Sequence, residues 1–496
     1  MQLGVDFGTT RTVVAYADRG NYPVVGFIDT NGDTQEYFPS TAANVDGRLV
    51  FGFEALDAAA EGAPILRSFK RELADARVTD RSTVRIGSDD FVLLDVLTGF
   101  LTALGTALGR ASTIGERPER CAVAVPAHAH GAQRFLTLEG FRRAGFTVTA
   151  MINEPSAAAF EYTHRQSRTI TSRRNRVLIY DLGGGTFDAS LVRIEGTDHT
   201  VENSVGVNRL GGDDFDHQLA VVAAALANRR YDSLSHTERA ALIDDARDAK
   251  ERLSPQTKRM ALEVCDEVVL VPVPTFYEKA EHLVLRTVEA MTPLVGDLGD
   301  RADLAEVAGL YLVGGGSCLP LVPRVLRERF GRRVHRSPFP AASTAIGLAI
   351  ATDSEAGYRL TDRLSRGFGV FREQQGGHLV SFDPILRNSE IVSPAEDTVI
   401  TRQYRAAHNV GVFRFVEYAS LADGEPRGDL VPFAEVRFGF TPELQDGRRL
   451  DRVAVTRLEH EGPMIEEKYV IDRHGIITVE LHDTFTGYRR TFSLSS

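Results

Sequence analysis

Hydrophobic positions change their spacing several times along the chain, and each change marks an element. Residues 2–16, "QLGVDFGTTRTVVAY", carry apolar residues at strand spacing on both sides of a Gly-Thr-Thr break. They predict a β-hairpin turning at Gly8-Thr9-Thr10. The mixed Ala, Leu and charged stretch 56–76 predicts a helix. "CAVAVP" (121–126) reads as a short buried strand stopped by Pro126. "AQRFLTLEGFRRAGF" (132–146) sets Phe135, Leu136 and Phe141 on or near one helical face, with Gly145 as its cap. "INEPSAAAFEY" (152–162) predicts strand, turn and an Ala-rich helix with Pro155 in the first turn. Helices are expected at 214–229 and 236–253. "GLYLVGGGSCLPLVPRVLRERF" (309–330) reads as strand, Gly turn and helix. "PAASTAIGLAIA" (340–351) is a small-residue helix that must pack closely against a neighbour.

The texture changes after residue 352. The polar stretch 353–367 predicts a linker. From Phe368 onward short alternating runs such as "VGVFRFVEY" and "IITVELHD" are separated by turn residues, the pattern of an antiparallel β-sandwich. One internal echo stands out. "GVDFGTTRTVVAY" and "IYDLGGGTFDASLV" each place an aspartate at the end of a strand, then a Gly-Thr turn, then a second strand. A duplicated hairpin with one carboxylate per copy predicts two similar halves facing one ligand.

Composition narrows the classes. A chain of 496 residues exceeds one core, and the length prior is roughly three units. The net charge of −11 argues against a general nucleic-acid binder, which needs a basic face. It does not argue against a nucleotide, because backbone amides can hold phosphates. Three separated cysteines without CxxC spacing argue against a disulfide framework or a zinc site, and fit a reducing cytoplasm. No secretory signal is read at "MQLGVDFGTT", no run approaches 18 apolar residues, and no membrane association is expected.

The chemistry of the two hairpins follows from what a nucleoside triphosphate with Mg²⁺ requires. Phosphate oxygens need backbone N–H groups, so the turns must be glycine-rich. Mg²⁺ keeps several waters, so carboxylates hold it directly or through water. Asp6 and Asp181, each leading into a Gly turn, are the candidate metal residues. Thr9, Thr10 and Thr186 supply hydroxyls to phosphate. Asp188 and Glu154 are candidate bases or water-holders.

The ordered series "GVDFGTT" (4–10), "SFKREL" (68–73), "AVAVPAHAHGAQR" (122–134), "INEPSAAA" (152–159), "YDLGGGTFD" (180–188), "LGGDDFD" (210–216), "AKERLS" (249–254) and "LVGGGSCLP" (312–320) resembles the 70-kDa heat-shock chaperones. These belong to the actin, hexokinase and heat-shock ATPase superfamily. The likeness covers roughly residues 2–352; "PILRNSEIVSP" (384–394) and "YVIDRHGIITVELHDTFTGYRR" (469–490) resemble the family's β-sandwich.

The resemblance implies an actin-like α/β ATPase domain of two similar lobes over 1–352, a linker over 353–367 and a peptide-binding type of β-sandwich over 368–496. No helical lid is expected. It implies ATP/ADP and Mg²⁺ as cofactors, and an unfolded or extended polypeptide as client. A J-domain co-chaperone and a nucleotide exchange factor are implied as partners. Lys70 takes the place of the family's lysine near the γ-phosphate, with Glu154, Thr186 and Asp188 beside it as catalytic residues. Gly8, Thr9, Thr10, Arg11, Gly183, Gly184, Gly185, Gly211, Gly212, Asp213, Gly314, Gly315 and Gly316 match backbone and side chains around the nucleotide. Lys250 and Ser254 match nucleoside-side residues, and Pro126 and Arg134 the pair that relays nucleotide state.

Departures from the family pattern concentrate at the base. Cys318 stands where an arginine packs on adenine, Ala341 and Arg247 stand where acids are usual, and the linker is unusually polar. Arg11 either reaches phosphate or points to solvent. The expected function is an ATP-dependent chaperone; the alternative is a nucleotide-gated adaptor whose sandwich binds one dedicated partner. A small-molecule kinase is disfavoured by the INEP and DLGGGTFD segments.

Overall fold

Both hairpins form, and each becomes the centre of a sheet. In the computed structural model, which describes residues 1–296, 304–361, 366–374, 379–387, 396–428, 430–445 and 449–494, Leu3–Phe7 pairs antiparallel with Arg11–Tyr16. Arg120–Val125 then adds parallel to the first strand and Thr147–Asn153 parallel to that one. Phe38–Pro39 closes the other edge of this five-stranded sheet. The second sheet repeats the scheme. Arg176–Leu182 pairs antiparallel with Thr186–Glu195, while Val307–Val313 and Val334–Arg336 add in parallel on one side and Asp198–Asn208 adds antiparallel on the other. The echo in the sequence is thus an echo in topology.

Two helices join the halves. Glu154–Gln166 follows the first sheet and packs on the second; Ser343–Thr352 follows the second and packs on the first. Where they cross, the backbones nearly touch: a Cβ on Gly347 would lie 1.8 Å from the carbonyl oxygen of Ala157. This is the close neighbour that the run of small residues required, since only side-chain-free or short residues let two backbones approach so far.

Not every expectation held. The helix expected within 56–76 is Phe53–Ala60; the rest is a strand, Ile65–Arg67, and a 3₁₀ turn, Phe69–Ala74. The 18-residue helix Leu93–Arg110 was missed, although its buried positions 93, 97, 100, 101, 104 and 108 follow helical spacing. By length and composition alone this helix could cross a membrane, but half of it is buried, packed on the helix Gly131–Arg143 and with Phe100 against Phe7 of the first sheet, as in a core helix. The expected linker is not a free tether. Arg359–Thr361 adds as a parallel strand beside Asp198–Thr200. Residues 362–365 of that stretch lie outside the described residues.

The C-terminal segment forms two four-stranded sheets around a core that includes Phe368, Phe415, Phe438, Ile465 and Tyr469. This interior also holds charge. Arg372 donates to both oxygens of the fully buried Glu467 (3.0 and 2.7 Å) and to Asp383 (2.6 Å), while the Tyr469 hydroxyl donates to Glu467 at 2.6 Å. These bonds tie one sheet to the other, because Arg372 lies in Gly367–Gln374 and Glu467 in Met464–Ile471.

Candidate functional site

The two Gly turns face each other across a cleft of about 320 Å³ between the halves. Their glycines are there because the opposite turn is so close. A Cβ on Gly184 would sit 2.8 Å from the Thr10 side chain, and one on Gly185 equally close to that of Thr9. The third turn joins them: Gly314 has φ +80°, and a Cβ there would lie 2.4 Å from Asp181 Oδ1. Gly211 and Gly212 lie against the second turn, with Gly212 N–H donating to Gly183 O at 2.9 Å and Asp213 N–H to Gly184 O at 2.8 Å. The helix Gly212–Leu226 therefore begins at the cleft, with its first N–H groups spent on the carbonyls of the second turn, and the positive end of its dipole lies beside the site.

At one end of the cleft four carboxylates meet one ammonium. Lys70 Nζ is 2.7 Å from Glu154 Oε1, and both side chains are buried. Burial and the neighbouring Glu154 charge push Asp6 up to about 7 despite Lys70. Burial, then Glu154, pushes Asp188 up to about 8. Burial followed by Glu154, Asp6 and Asp188 raises Asp181 well above the carboxylate range. Burial alone would lower Lys70, but Glu154, Asp6 and Asp188 outweigh it and raise its pKa. Such a cluster lacks positive charge and would be relieved by a cation.

The donor set fits Mg²⁺ with a polyphosphate. Asp188 Oδ1 is buried without a hydrogen-bond partner, and space opens over Gly315, where a Cβ would meet nothing within 4 Å. Among the described residues no three His, Cys, Asp or Glu side chains are grouped to grip a metal directly.

Most of the residues anticipated from the sequence line this one cleft: Asp6, Gly8, Thr9, Thr10, Arg11, Lys70, Glu154, Asp181, Gly183, Gly184, Thr186, Gly212, Asp213, Lys250 and the turn Gly314–Gly316. Asp188 sits behind it, opposite Asp181 in the hairpin register. Ser254 does not line the cleft. It is exposed, and its hydroxyl lies 3.0 Å from that of Thr257, in a local turn past the helix end. Arg11 resolves to neither alternative: it pairs with Glu251 from the other half and lies over the Tyr37 ring, 4.4 Å from its centroid. Arg247 is held by Asp213, Asp216 and Asp244, and Lys250 by Asp216 at 2.6 Å and Gly212 O at 2.8 Å. Cys318 and Ala341 also line the cleft, with short side chains.

Several contributors were not legible in the sequence. Arg71 donates to Gly185 O at 3.1 Å and to Asp214 at 2.9 Å, Ser68 to Asp213 at 2.8 Å, and Arg67 to Asp244 at 2.9 Å, all from one half to the other. The remaining pair, Pro126 and Arg134, leads away from the cleft. Pro126 borders a small cavity with Lys70, Thr9 and Thr186, and Arg134 donates to Asn153, next to Glu154, at 2.6 Å. Between them runs the loop that starts the helix Gly131–Arg143. Ala127 and His128 in that loop donate backbone hydrogen bonds to Asp188. Gly131 N–H donates to Glu417 of the sandwich at 2.9 Å, and Glu417 is also 3.4 Å from Arg366. A carboxylate at a helix N-terminus with an arginine beside it is a favourable place to bury charge.

Paired Gly-turn sheets around a carboxylate and lysine cleft, followed by a β-sandwich, define a nucleotide-binding α/β protein with an appended β domain. The family model described as Hsp70 protein matches residues 2–364, and the chain belongs to the Hsp70 family. A chaperone-type nucleotide-binding function comes with that membership.

Proposed function

We propose that this protein binds ATP with Mg²⁺, hydrolyses it slowly, and uses the cycle to bind and release extended polypeptide through its sandwich. The two halves act as lobes closing on the nucleotide. Thr9, Thr10, Thr186 and the amides of Gly183–Gly185 and Gly314–Gly316 hold the phosphates, and Lys250 and Asp213 lie on the nucleoside side. When bound, Mg²⁺ supplies positive charge to the phosphates, with Asp6 and Asp181 as the residues to hold it. Lys70 orients the γ-phosphate and the attacking water, held in place by Glu154, and Asp188 holds that water from behind. The setting proposed is the cytoplasm, as expected from three separated cysteines without CxxC spacing. A J-domain protein and an exchange factor are the partners of this reading.

The observation that carries it is the split use of one loop. Its amides at Ala127 and His128 hold Asp188, and its amide at Gly131 holds Glu417 of the sandwich. Any movement of the γ-phosphate water site is then felt where the sandwich docks. The test is release of a fluorescent apolar peptide with and without ATP. Faster release with Mg-ATP is expected; ATP-independent release would overturn the coupling. A second reading, an adaptor for one dedicated partner, is favoured by the Arg372–Glu467–Asp383 network inside the sandwich. Failure to bind any apolar peptide would support it.

A further inference from the structure

Resting on the nucleotide-binding reading, we infer that Arg11 and Glu251 form a gate across the base end of the cleft, and that this pair sets how long a nucleotide stays bound. Arg11 begins the second strand of the first hairpin, directly after the phosphate-facing Thr10. Glu251 is the last residue of the helix His236–Glu251 in the other half. Their side chains pair across the cleft. Both also line it, together with Leu253, Cys318, Leu319, Pro340 and Ala341. The charges of Arg11 and Glu251 both reach Cys318, which places the pair over the base end, whereas Lys70 and its carboxylates occupy the phosphate end.

Two features make this a gate rather than a fixed strut. First, the pair is 37% and 41% exposed, so water and salt reach it and it can break without leaving a buried charge. Second, Arg11 has a partner in each state. Its guanidinium rests on the Tyr37 ring of its own half, so on separation of the halves it loses Glu251 but keeps the cation–π contact. Among the described residues, the cross-cleft side-chain bonds of Arg67 to Asp244, Ser68 to Asp213, and Arg71 to Gly185 O and Asp214 gather around a different segment, residues 67–71. Arg11–Glu251 therefore stands apart as the closure over the base.

The gate also answers a deficit. The cleft wall at Cys318 and Ala341 offers only short side chains to a base, while the nearby Arg11 and Arg247 guanidinium groups are engaged by Glu251 and by Asp213, Asp216 and Asp244. Retention by closure replaces retention by stacking, and it predicts release that quickens with ionic strength, as screening over a few ångströms at high salt would require.

The experiment follows release of N-methylanthraniloyl-ADP from the full chain by stopped-flow fluorescence after addition of excess ADP. Arg11→Ala and Glu251→Ala are each expected to speed release by up to about fivefold, the range for one half-exposed pair. Arg11→Glu should speed it further by adding repulsion. The exchanged pair, Arg11→Glu with Glu251→Arg, should recover most of the slow release. Arg85→Ala breaks an exposed pair with Asp90 away from the cleft and should change nothing. Unchanged release in Arg11→Glu, or an exchanged pair no slower than Arg11→Glu alone, would overturn the gate while leaving nucleotide binding intact. Failure of the unmutated chain to bind the probe would overturn the nucleotide reading, and the gate with it.

Discussion

Among the described residues Lys70 is the one cation whose charge opposes the buried acidic cluster, and its removal should be far more costly than removal of its partner. Replacing Lys70 by Met keeps most of the volume but leaves Glu154, Asp6, Asp181 and Asp188 facing one another, three of them already pushed toward the neutral form by burial and mutual repulsion. Breaking a buried pair by deleting one partner costs about 3–5 kcal/mol. Replacing Glu154 by Gln has the opposite sign of electrostatic effect. It subtracts one negative charge from the cluster, keeps an oxygen for the Lys70 ammonium, and leaves Lys70 the charges of Asp6 and Asp188. Its net cost should stay within about 1 kcal/mol. At about 2 °C per kcal/mol for a large domain, Lys70→Met should lower the melting temperature of the α/β domain by about 6–10 °C. Glu154→Gln should shift it by about 2 °C or less. The assay is scanning fluorimetry of the nucleotide-free protein in EDTA. Equal losses in the two variants would refute the reasoning, because they would mean that Lys70 serves Glu154 alone and not the cluster.

Asp188→Asn should slow single-turnover ATP hydrolysis by at least tenfold with nucleotide affinity little changed, since Asp188 sits behind the cleft; an unchanged rate in rapid-quench measurements would remove it from the chemistry. Gly211→Ala should abolish tight nucleotide binding in calorimetry, because its Cβ would lie 2.6 Å from Gly184 O and Gly185 N and force the second turn away; retained affinity would show that the turn yields. His199 is buried against Thr163 and the Thr197 carbonyl, and burial pushes its imidazole down to about 4. The unfolded chain binds the proton below about 6.5 and the folded chain does not until about 4. His199 therefore adds stability above 6.5 that is lost on acidification toward 4, about 3 kcal/mol in all. Urea unfolding of His199→Asn across that range should show a flatter pH dependence than the unmutated chain, and identical slopes would refute the assignment.

What the sequence determined by itself was local and repetitive. Strand spacing on both sides of a Gly-Thr turn, with an aspartate at the strand end, was enough to place Asp6, Asp181, the threonines and the glycine cradle. Main-chain demands of that kind leave a mark within a few residues. The β-sandwich was legible for the same reason, as alternation repeats strand by strand. The helix Leu93–Arg110 carried an equally clear period and was legible in principle. Only the tertiary structure decided contacts made between distant segments. Nothing near Arg11 marks Glu251, 240 residues away, as its partner. Ser254 matched a motif position, yet the chain turns there toward Thr257 and away from the cleft. The polar run 359–361 has no strand signature of its own, and becomes a strand because the edge of Asp198–Asn208 offers it a ladder. Glu417 reads as an ordinary strand residue until the loop before Gly131 presents an unfilled N–H to it. Local pattern specifies which backbone a segment adopts; pairing of charges and free amides depends on which surfaces the packed core brings face to face.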